Sequence, residues 1–301
     1  MGSFPDFVDL VCRERGAALM GIVNVTPDSF FDGGQYVEVE PQERRIDKLL
    51  AEGADIVDIG AESTRPGAES VDADVQIARA EAALVHALRS GAMVSIDTTS
   101  PKVARWALEQ GAHLVNDVSC LSNPDLAAAV AEHDACLLLM HSRYPTVGML
   151  SFGAYPEDGY EDVVTDVLRE WEEARSRALQ EGVPSKHVFF DPGLGFHKSA
   201  RHSLELLRRL REFARLKAPI CVGPSRKSFI GALDGSGPQD RLGGTITACL
   251  AAVAGGARIL RVHDVAALKQ ALVVQQALAG GPIGQGDRQR LGRPEREALD
   301  A

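Results

Sequence analysis

The sequence predicts a single (β/α)8 barrel, an α/β TIM-barrel fold whose active site lies at the carboxyl ends of the strands. Short apolar runs alternate eight times with amphipathic stretches, and no change in composition marks a second domain. The 301 residues are also enough for one such barrel, which takes about 250. We therefore expect a barrel over residues 1–281 and a disordered tail over 282–301, where Gly, Pro and charged residues dominate.

The eight predicted strands are runs rich in Val, Ile and Leu in which polar residues do not alternate. Such runs are typical of parallel strands that are buried on both faces of the sheet. In chain order the runs cover residues 19–25, 54–60, 93–98, 113–118, 135–141, 187–193, 219–225 and 258–264.

The stretches between these runs have the spacing of amphipathic helices. Ile46 and Leu49 share one face of the helix before the second strand, and Gly53 ends that helix. Gly111 and Gly182 end two later helices in the same way.

Composition excludes several classes of protein. The net charge of −10 argues against a nucleic-acid or membrane-surface binder, since both need a basic face. The five cysteines form no CxxC pair, which argues against a zinc site or a disulfide framework. No apolar run approaches the roughly 20 residues of a membrane span, and residues 1–16 lack the apolar core of a signal peptide. We expect a cytoplasmic protein with small-molecule substrates and with neither nucleic-acid nor membrane partners.

Each predicted strand has polar residues at or just after its carboxyl end, although strand packing needs none of them. In this fold the carboxyl ends meet at one mouth, which holds the active site. The residues are Asn24, Asp58 with Glu62, Asp97, Asn116 with Asp117, His141, Asp191, Ser225 with Lys227, and Arg261 with His263. Because all eight strands share the pattern, it predicts a binding site.

Two groups of these residues indicate the kind of ligand. Lys227, Arg261 and His263 follow the last two strands, where this fold usually binds phosphate beside a helix N-terminus. Arg226 is able to face either the mouth or solvent.

Asp97, Asn116 and Asp191 interrupt apolar strands and match the donor and acceptor edge of a guanidine-like heterocycle. As an alternative, Asp97 and Asp191 cap the helices that follow them.

Two early loops have the length and composition of substrate lids. They cover residues 24–36 and 61–71 and combine Pro, Gly and hydroxyl residues without helical spacing. In the first loop, Asn24 provides a carbonyl oxygen for a hard metal such as Mg²⁺, with Asp28 and Asp32 as indirect contributors. In the second loop, Arg65 is able to reach an anion or a carboxylate.

Eight sequence blocks resemble the dihydropteroate synthases, a pterin-binding TIM-barrel family that is the target of sulfonamides in folate biosynthesis. The blocks are NVTPDSFFDGG, DIGAESTRPGAE, SIDTTSPKVA, NDVS, LMH, DPGLGF, SRKSFIGAL and ILRVHDV, and they occur in the family's order between residue 19 and about residue 280. The resemblance implies a transferase that joins para-aminobenzoate to 6-hydroxymethyl-7,8-dihydropterin diphosphate and gives 7,8-dihydropteroate and pyrophosphate. It also implies a Mg²⁺ cofactor and a homodimer formed through helices late in the barrel.

The resemblance assigns roles to particular residues. The family's pterin pocket corresponds to Asp97, Asn116, Met140, Asp191, Phe196, Lys227 and Arg261. Its aminobenzoate site corresponds to Phe30, Thr64, Arg65, Pro66 and Ser228. Its pyrophosphate site corresponds to Asn24, Arg65, Arg261 and His263, with the metal at Asn24. The residues expected to act in catalysis are Asp97, Asp191, Lys227, Arg261 and His263.

The sequence departs from the family's usual residues at several positions. His197 and Cys120 stand where the family commonly has Gly, Ser203 where it often has Asn, and Thr99 where it often has Tyr. The segment after LMH also differs and contains Arg143. We expect His197 and Arg143 to reshape the rim of the pocket.

Two alternatives remain. A methyltransferase that passes a methyl group from methyltetrahydrofolate to a corrinoid shares the barrel and the Asp/Asn pterin edge, but it has no need for STRPG, SRKS and RVHD. A catalytically silent paralogue that binds pterin is compatible with the departures in the loops after the fifth and sixth strands.

Overall fold

Eight parallel strands form one closed barrel in chain order, so that the last strand pairs with the first. This computed structural model describes residues 3–26, 39–63, 70–143 and 155–280. Within those ranges the architecture confirms the predicted (β/α)8 fold. The predicted tail over 282–301 lies outside the described residues.

The strands are short and almost completely buried, as their apolar sequences predict. They are β1 (Ala18–Asn24), β2 (Ile56–Gly60), β3 (Met93–Asp97), β4 (Leu114–Asp117), β5 (Cys136–Met140), β6 (Val188–Asp191), β7 (Ile220–Val222) and β8 (Ala257–Val262). Parallel pairing aligns their carboxyl ends, so that Gly60 lies beside both Asn24 and Asp97.

Seven of the eight predicted strands extend past the observed carboxyl ends by one to three residues. Regular pairing stops before His141, Ser225 and His263, which therefore lie in the loops after β5, β7 and β8. Ser225 and His263 line the cavity at this end of the barrel, and His141 is fully buried.

The helices surround the barrel. They are α1 (Phe4–Arg15), α2 (Val39–Glu52), α3 (Ala73–Arg89), α4 (Pro101–Glu109), α5 (Asp125–Glu132), α6 (Val163–Gln180), α7 (Ala200–Arg208), α8 (Ser228–Asp234), α9 (Leu242–Ala254) and α10 (Val265–Leu278). The predicted glycine stops are confirmed at Gly53, Gly111 and Gly182, whose φ angles are +100°, +106° and +97°. Among the described residues, we find no helix long and apolar enough to cross a bilayer.

Helix α1 closes the amino end of the barrel, a role that the sequence did not indicate. Its apolar side chains Phe4, Val8 and Val11 are buried in a cluster with barrel residues that include Phe189 and Ile259. The rings of Phe4 and Phe189 meet edge to face with their centroids 5.6 Å apart. Within the described residues, α1 therefore covers the amino end of the barrel, and the cavity described below lies at the carboxyl ends of the strands.

Candidate active site

A cavity of about 670 Å³ opens at the carboxyl ends of the strands. Ten of the predicted site residues line it, and these are Asn24, Asp97, Asn116, Met140, Asp191, Phe196, Lys227, Ser228, Arg261 and His263. The other four predicted residues, Phe30, Thr64, Arg65 and Pro66, lie outside the described residues. The strand ends thus meet around one space, as the barrel topology requires.

Arg261 joins two carboxylates on one side of this cavity. Its Nε donates to Asp58 Oδ2 at 2.6 Å, and its Nη2 donates to Asp97 Oδ2 at 2.7 Å. Asn116 Nδ2 donates to the same Asp58 oxygen at 3.3 Å. Burial raises the pKa of Asp97, and the neighbouring Arg261 charge opposes that rise. The four side chains form one network that reaches across β2, β3, β4 and β8.

Asp58 is the residue of this network that received no role from the sequence. It is fully buried on β2, and one of its oxygens, Oδ1, has no hydrogen-bond partner among the described residues. Its position at a strand end was a signal of function. Its partner Arg261, however, is 203 residues away in the chain, so the ion pair appears only once the barrel closes.

Asp191, Phe196 and Lys227 form the opposite wall. Asp191 Oδ1 accepts a hydrogen bond from the Gly193 N–H at 2.7 Å, which fixes the carboxylate at the start of the loop after β6. The Lys227 ammonium lies 4.2 Å from the centre of the Phe196 ring. Burial lowers the pKa of Lys227 to about 8, aided by Arg261 and opposed by Asp191.

The alternative in which Asp97 and Asp191 cap the next helices is wrong. Ser100 caps α4 and Ser199 caps α7, each by accepting a backbone N–H through its side chain. The two carboxylates are therefore available to the cavity.

The expected anion site contains fewer positive charges than the sequence suggested. Burial and nearby cations lower the pKa of His263 to about 3, so its imidazole is neutral at pH 7. Its Nδ1 lies 2.9 Å from Ser225 Oγ. Arg226 also lines the cavity, but its guanidinium pairs with Asp264 at 2.8 Å and donates to the carbonyl of Gln239.

Arg45 is a buried cation that sequence reasoning missed. It projects from α2 and donates to the His263 carbonyl at 3.1 Å and to the Ile22 carbonyl at 3.4 Å. It therefore ties β1 to the loop after β8 beside the cavity. Its place in an ordinary amphipathic helix gave no signal of this contact.

The expectation that His197 and Arg143 reshape the rim is not supported by the structure. Neither side chain is among the described residues that line the cavity. His197 Nδ1 lies 3.0 Å from Ser142 Oγ, and Arg143 donates to Glu170 at 2.9 Å. The backbone explains why glycine suits two of the departures, since φ is +46° at His197 and +58° at Cys120.

The donor set fits Mg²⁺ only as an ion that binds together with a phosphorylated ligand. Among the described residues, no three His, Cys, Asp or Glu side chains lie close enough to hold a metal ion. Asn24 lines the cavity with a neutral amide, and its Oδ1 and Asp97 Oδ2 each lie 3.7 Å from a Cβ placed on Gly60. Mg²⁺ commonly takes one or two protein oxygens and completes its shell with water and substrate phosphates.

Comparisons with known proteins agree with this geometry. The family model described as "Pterin binding enzyme" matches residues 20–263. The dihydropteroate synthase of Synechocystis is 41% identical over 264 residues, which cover 86% of this chain and 89% of that protein.

Solved structures of dihydropteroate synthases are also similar to this chain. The Yersinia pestis dihydropteroate synthase with a sulfonamide drug superimposes with a TM-score of 0.82 at 34% identity, over 88% of this chain and 95% of that one. The Xanthomonas albilineans dihydropteroate synthase with 4-aminobenzoic acid gives a TM-score of 0.80 at 40% identity, over 88% and 94%.

Proposed function

Since this chain belongs to the pterin-binding enzyme family and, within it, to the dihydropteroate synthases, we propose that it joins para-aminobenzoate to 6-hydroxymethyl-7,8-dihydropterin diphosphate. The products are 7,8-dihydropteroate and pyrophosphate. The observation that carries the proposal is the single cavity in which ten family-matched residues meet. Its volume of about 670 Å³ is in the range of small-molecule sites.

The walls of the cavity suit a pterin. Asp97, Asn116 and Asp191 supply acceptors and an amide to the polar edge of the heterocycle, and the Phe196 ring supplies an apolar face. The Lys227 ammonium, which lies over the Phe196 ring, adds a hydrogen-bond donor. Two carboxylates near the ring also favour the electron-poor pterin that forms when the diphosphate departs.

The leaving group gains negative charge as the bond between the pterin methylene carbon and the diphosphate oxygen breaks. Arg261 lines the cavity, and α10 begins at Val265, two residues after the cavity-lining His263, so we assign both to the stabilisation of that charge. His263 acts as a neutral donor whose orientation is set by Ser225. We propose that Asn24 holds Mg²⁺, which supplies Lewis-acid stabilisation of the phosphate oxygens when bound.

The amine of para-aminobenzoate attacks the methylene carbon as a neutral nucleophile, so the reaction needs no strong general base. We assign Ser228, a cavity-lining residue at the start of α8, to aminobenzoate binding, together with Phe30, Thr64, Arg65 and Pro66. Arg65 also belongs to the proposed pyrophosphate site. The sulfonamide bound in the Yersinia pestis relative supports the further proposal that sulfonamides compete with para-aminobenzoate here.

A homodimer fits an exposed apolar surface on α10. This helix comes late in the chain order of the barrel. Three of its apolar side chains are exposed, by 51% at Val273, 53% at Val274 and 84% at Leu278. Apolar side chains grouped in this way are typical of interfaces between subunits. The cytoplasmic location stays a prediction from composition.

The deciding experiment is an assay of purified protein with Mg²⁺ and both substrates. We expect pyrophosphate release that depends on para-aminobenzoate, together with formation of dihydropteroate. Binding of the pterin diphosphate without product would favour the silent paralogue. Methyl transfer from methyltetrahydrofolate to a corrinoid would favour the methyltransferase.

A further inference from the structure

Lys198 is a fully buried lysine in the loop between β6 and α7, behind the cavity wall. Its Nζ lies 2.9 Å from His141 Nδ1, 3.2 Å from the His141 carbonyl oxygen and 3.0 Å from the Phe196 carbonyl oxygen. An ammonium group has three N–H donors and no acceptor. Burial lowers the pKa of Lys198 to about 7, and these three acceptors satisfy every donor of its charged form.

The same contacts determine the state of His141. A ring nitrogen that accepts from Lys198 carries no proton, so Nε2 holds the proton and donates to Glu170 Oε2 at 2.9 Å. Burial and the Lys198 charge lower the pKa of His141 to about 3, which keeps the imidazole neutral. Arg143 pairs with the same Glu170 carboxylate at 2.9 Å, so the network runs from the barrel to α6.

These contacts join the end of β5 to the end of β6 at Asp191 and to the loop that carries Phe196. The His141 N–H donates to the Asp191 carbonyl at 2.8 Å. Gly193 packs so closely that a Cβ on it would lie 2.1 Å from the His141 carbonyl oxygen and 3.3 Å from Lys198 Nζ. The Lys198 ammonium therefore occupies the space next to the backbone at Gly193.

We propose that Lys198 is a positioning residue for the pterin pocket: its ammonium ties the loop after β6 to the end of β5 and so holds Asp191 and Phe196 against the substrate. The inference rests on the proposed function. Lys198 is not among the described residues that line the cavity, so it acts through these two neighbours. Burial raises the pKa of the Asp191 carboxyl, and the charged form of Lys198 is one of the groups that oppose this rise.

An apolar replacement of equal length tests this role. Lys198→Met leaves two carbonyl oxygens and one imidazole nitrogen without their donor, and the loop is then free to shift. We expect the KM for the pterin diphosphate to rise about tenfold, with the KM for para-aminobenzoate unchanged and kcat altered less than about threefold. Lys186→Met, at an exposed lysine just before β6, is the control and leaves all three constants unchanged.

The outcomes separate this inference from the proposed function. A wild-type protein that forms no dihydropteroate contradicts the proposed function. A folded Lys198→Met enzyme with a normal pterin KM overturns the positioning role. Loss of kcat with both KM values unchanged does so as well, because it indicates only a smaller folded fraction.

A milder pair of variants serves if Lys198→Met does not fold. His141→Asn keeps an acceptor close to the position of Nδ1, whereas His141→Leu removes it. We expect the pterin KM to rise in His141→Leu and to stay near the wild-type value in His141→Asn. Equal pterin KM values in the two variants would overturn the proposal.

Discussion

Single residues of the site are fixed by partners from distant strands, and Arg261 is the clearest case. It uses Nε for Asp58 and Nη2 for Asp97, so two carboxylates hold the guanidinium in one orientation. Within the described part of the chain, this leaves Nη1 to face a ligand. Because the guanidinium is planar and rigid, the two carboxylates also fix the direction in which its remaining nitrogen donates.

Removal of Asp58 tests how far this network supports the fold. Asp58→Ala leaves Arg261 with one carboxylate and takes an acceptor from Asn116, so we expect a loss of about 3 kcal/mol in the free energy of unfolding. Asp9→Ala breaks the exposed pair with Arg258 and is expected to cost less than about 1 kcal/mol. Urea unfolding of both variants measures the difference, and equal losses would contradict the buried network.

A second residue-scale prediction concerns Cys120. Its φ of +58° lies in the left-handed region, where Gly is free of steric cost and Ala is not. We expect Cys120→Gly to be more stable than Cys120→Ala by about 1 kcal/mol in urea unfolding. In α5 the order is reversed, because Ala127→Gly costs about 1 kcal/mol of helix propensity plus lost packing. A Cys120→Ala variant at least as stable as Cys120→Gly would contradict the prediction.

At the scale of elements, the two ends of the barrel have separate tasks. The strand ends and loops at the carboxyl face carry the polar side chains of the cavity, whereas α1 packs its apolar side chains against the amino end and pairs with it through contacts such as Asp9 with Arg258. Such a division is typical of this fold, in which one face carries activity and the other stability.

A substitution in α1 is therefore expected to change the stability of the protein without changing its catalytic activity. Phe4→Ala removes a buried ring packed on Phe189, so we expect it to lower the free energy of unfolding by about 3 kcal/mol. Well below the melting temperature, kcat and both KM values should equal those of the wild type. Leu10→Ala, on the exposed face of α1, is the control, with a loss below about 0.5 kcal/mol. A change in KM caused by Phe4→Ala would show that α1 also shapes the cavity.

Much of this organisation could be predicted from the sequence. The apolar runs predicted the strands, and polar residues at their ends predicted ten side chains of one cavity. The partners of those side chains could not be predicted, since Arg45 and Asp58 reach them from separate elements only after closure of the barrel. Local patterns encode which face a residue occupies, whereas ion pairs between strands depend on the register of the whole sheet.

At the scale of the whole molecule, the net charge of −10 coexists with a cavity that is proposed to bind a diphosphate. Lys227 and Arg261 line this cavity, so the attraction for a diphosphate is concentrated there, and the low dielectric of the site strengthens it. Buried neutral histidines accompany these cations, and they make the stability of the fold dependent on pH.

Acid is expected to destabilise the protein through His141, His197 and His263. Burial lowers the pKa of these groups, to about 3 for His141 and His263 and about 4 for His197. Their unfolded values lie near 6.5, so the unfolded chain binds the protons first and stability falls as the pH drops from about 6.5 towards 4. The raised pKa of Asp97 acts in the opposite direction.

The contribution of one histidine can be isolated. His197→Asn removes a titrating group, and Asn tolerates the left-handed backbone at this position. We expect the urea midpoint of this variant to fall less steeply between pH 6.5 and about 4.5 than that of the wild type. An identical slope in the two proteins would show that His197 does not contribute.

The proposed homodimer makes a prediction about the surface of α10. Leu278→Glu places a charge on the exposed apolar patch, so we expect the protein to become monomeric in light scattering while its melting temperature changes little. Leu233→Glu, at an apolar residue on α8 that is 68% exposed, is the control and keeps the oligomeric state. A dimer that persists in Leu278→Glu would exclude α10 as the interface.

Because α1 covers the amino end of the barrel, the position of each ligand in the cavity affects the order in which the ligands bind. A ligand at the base of the cavity therefore leaves through the carboxyl ends of the strands and past any ligand bound nearer that mouth. Five of the seven proposed pterin residues lie on strands, whereas Ser228 is the first residue of α8. We expect pterin diphosphate to bind before para-aminobenzoate, and an analogue of para-aminobenzoate to slow the dissociation of the bound pterin.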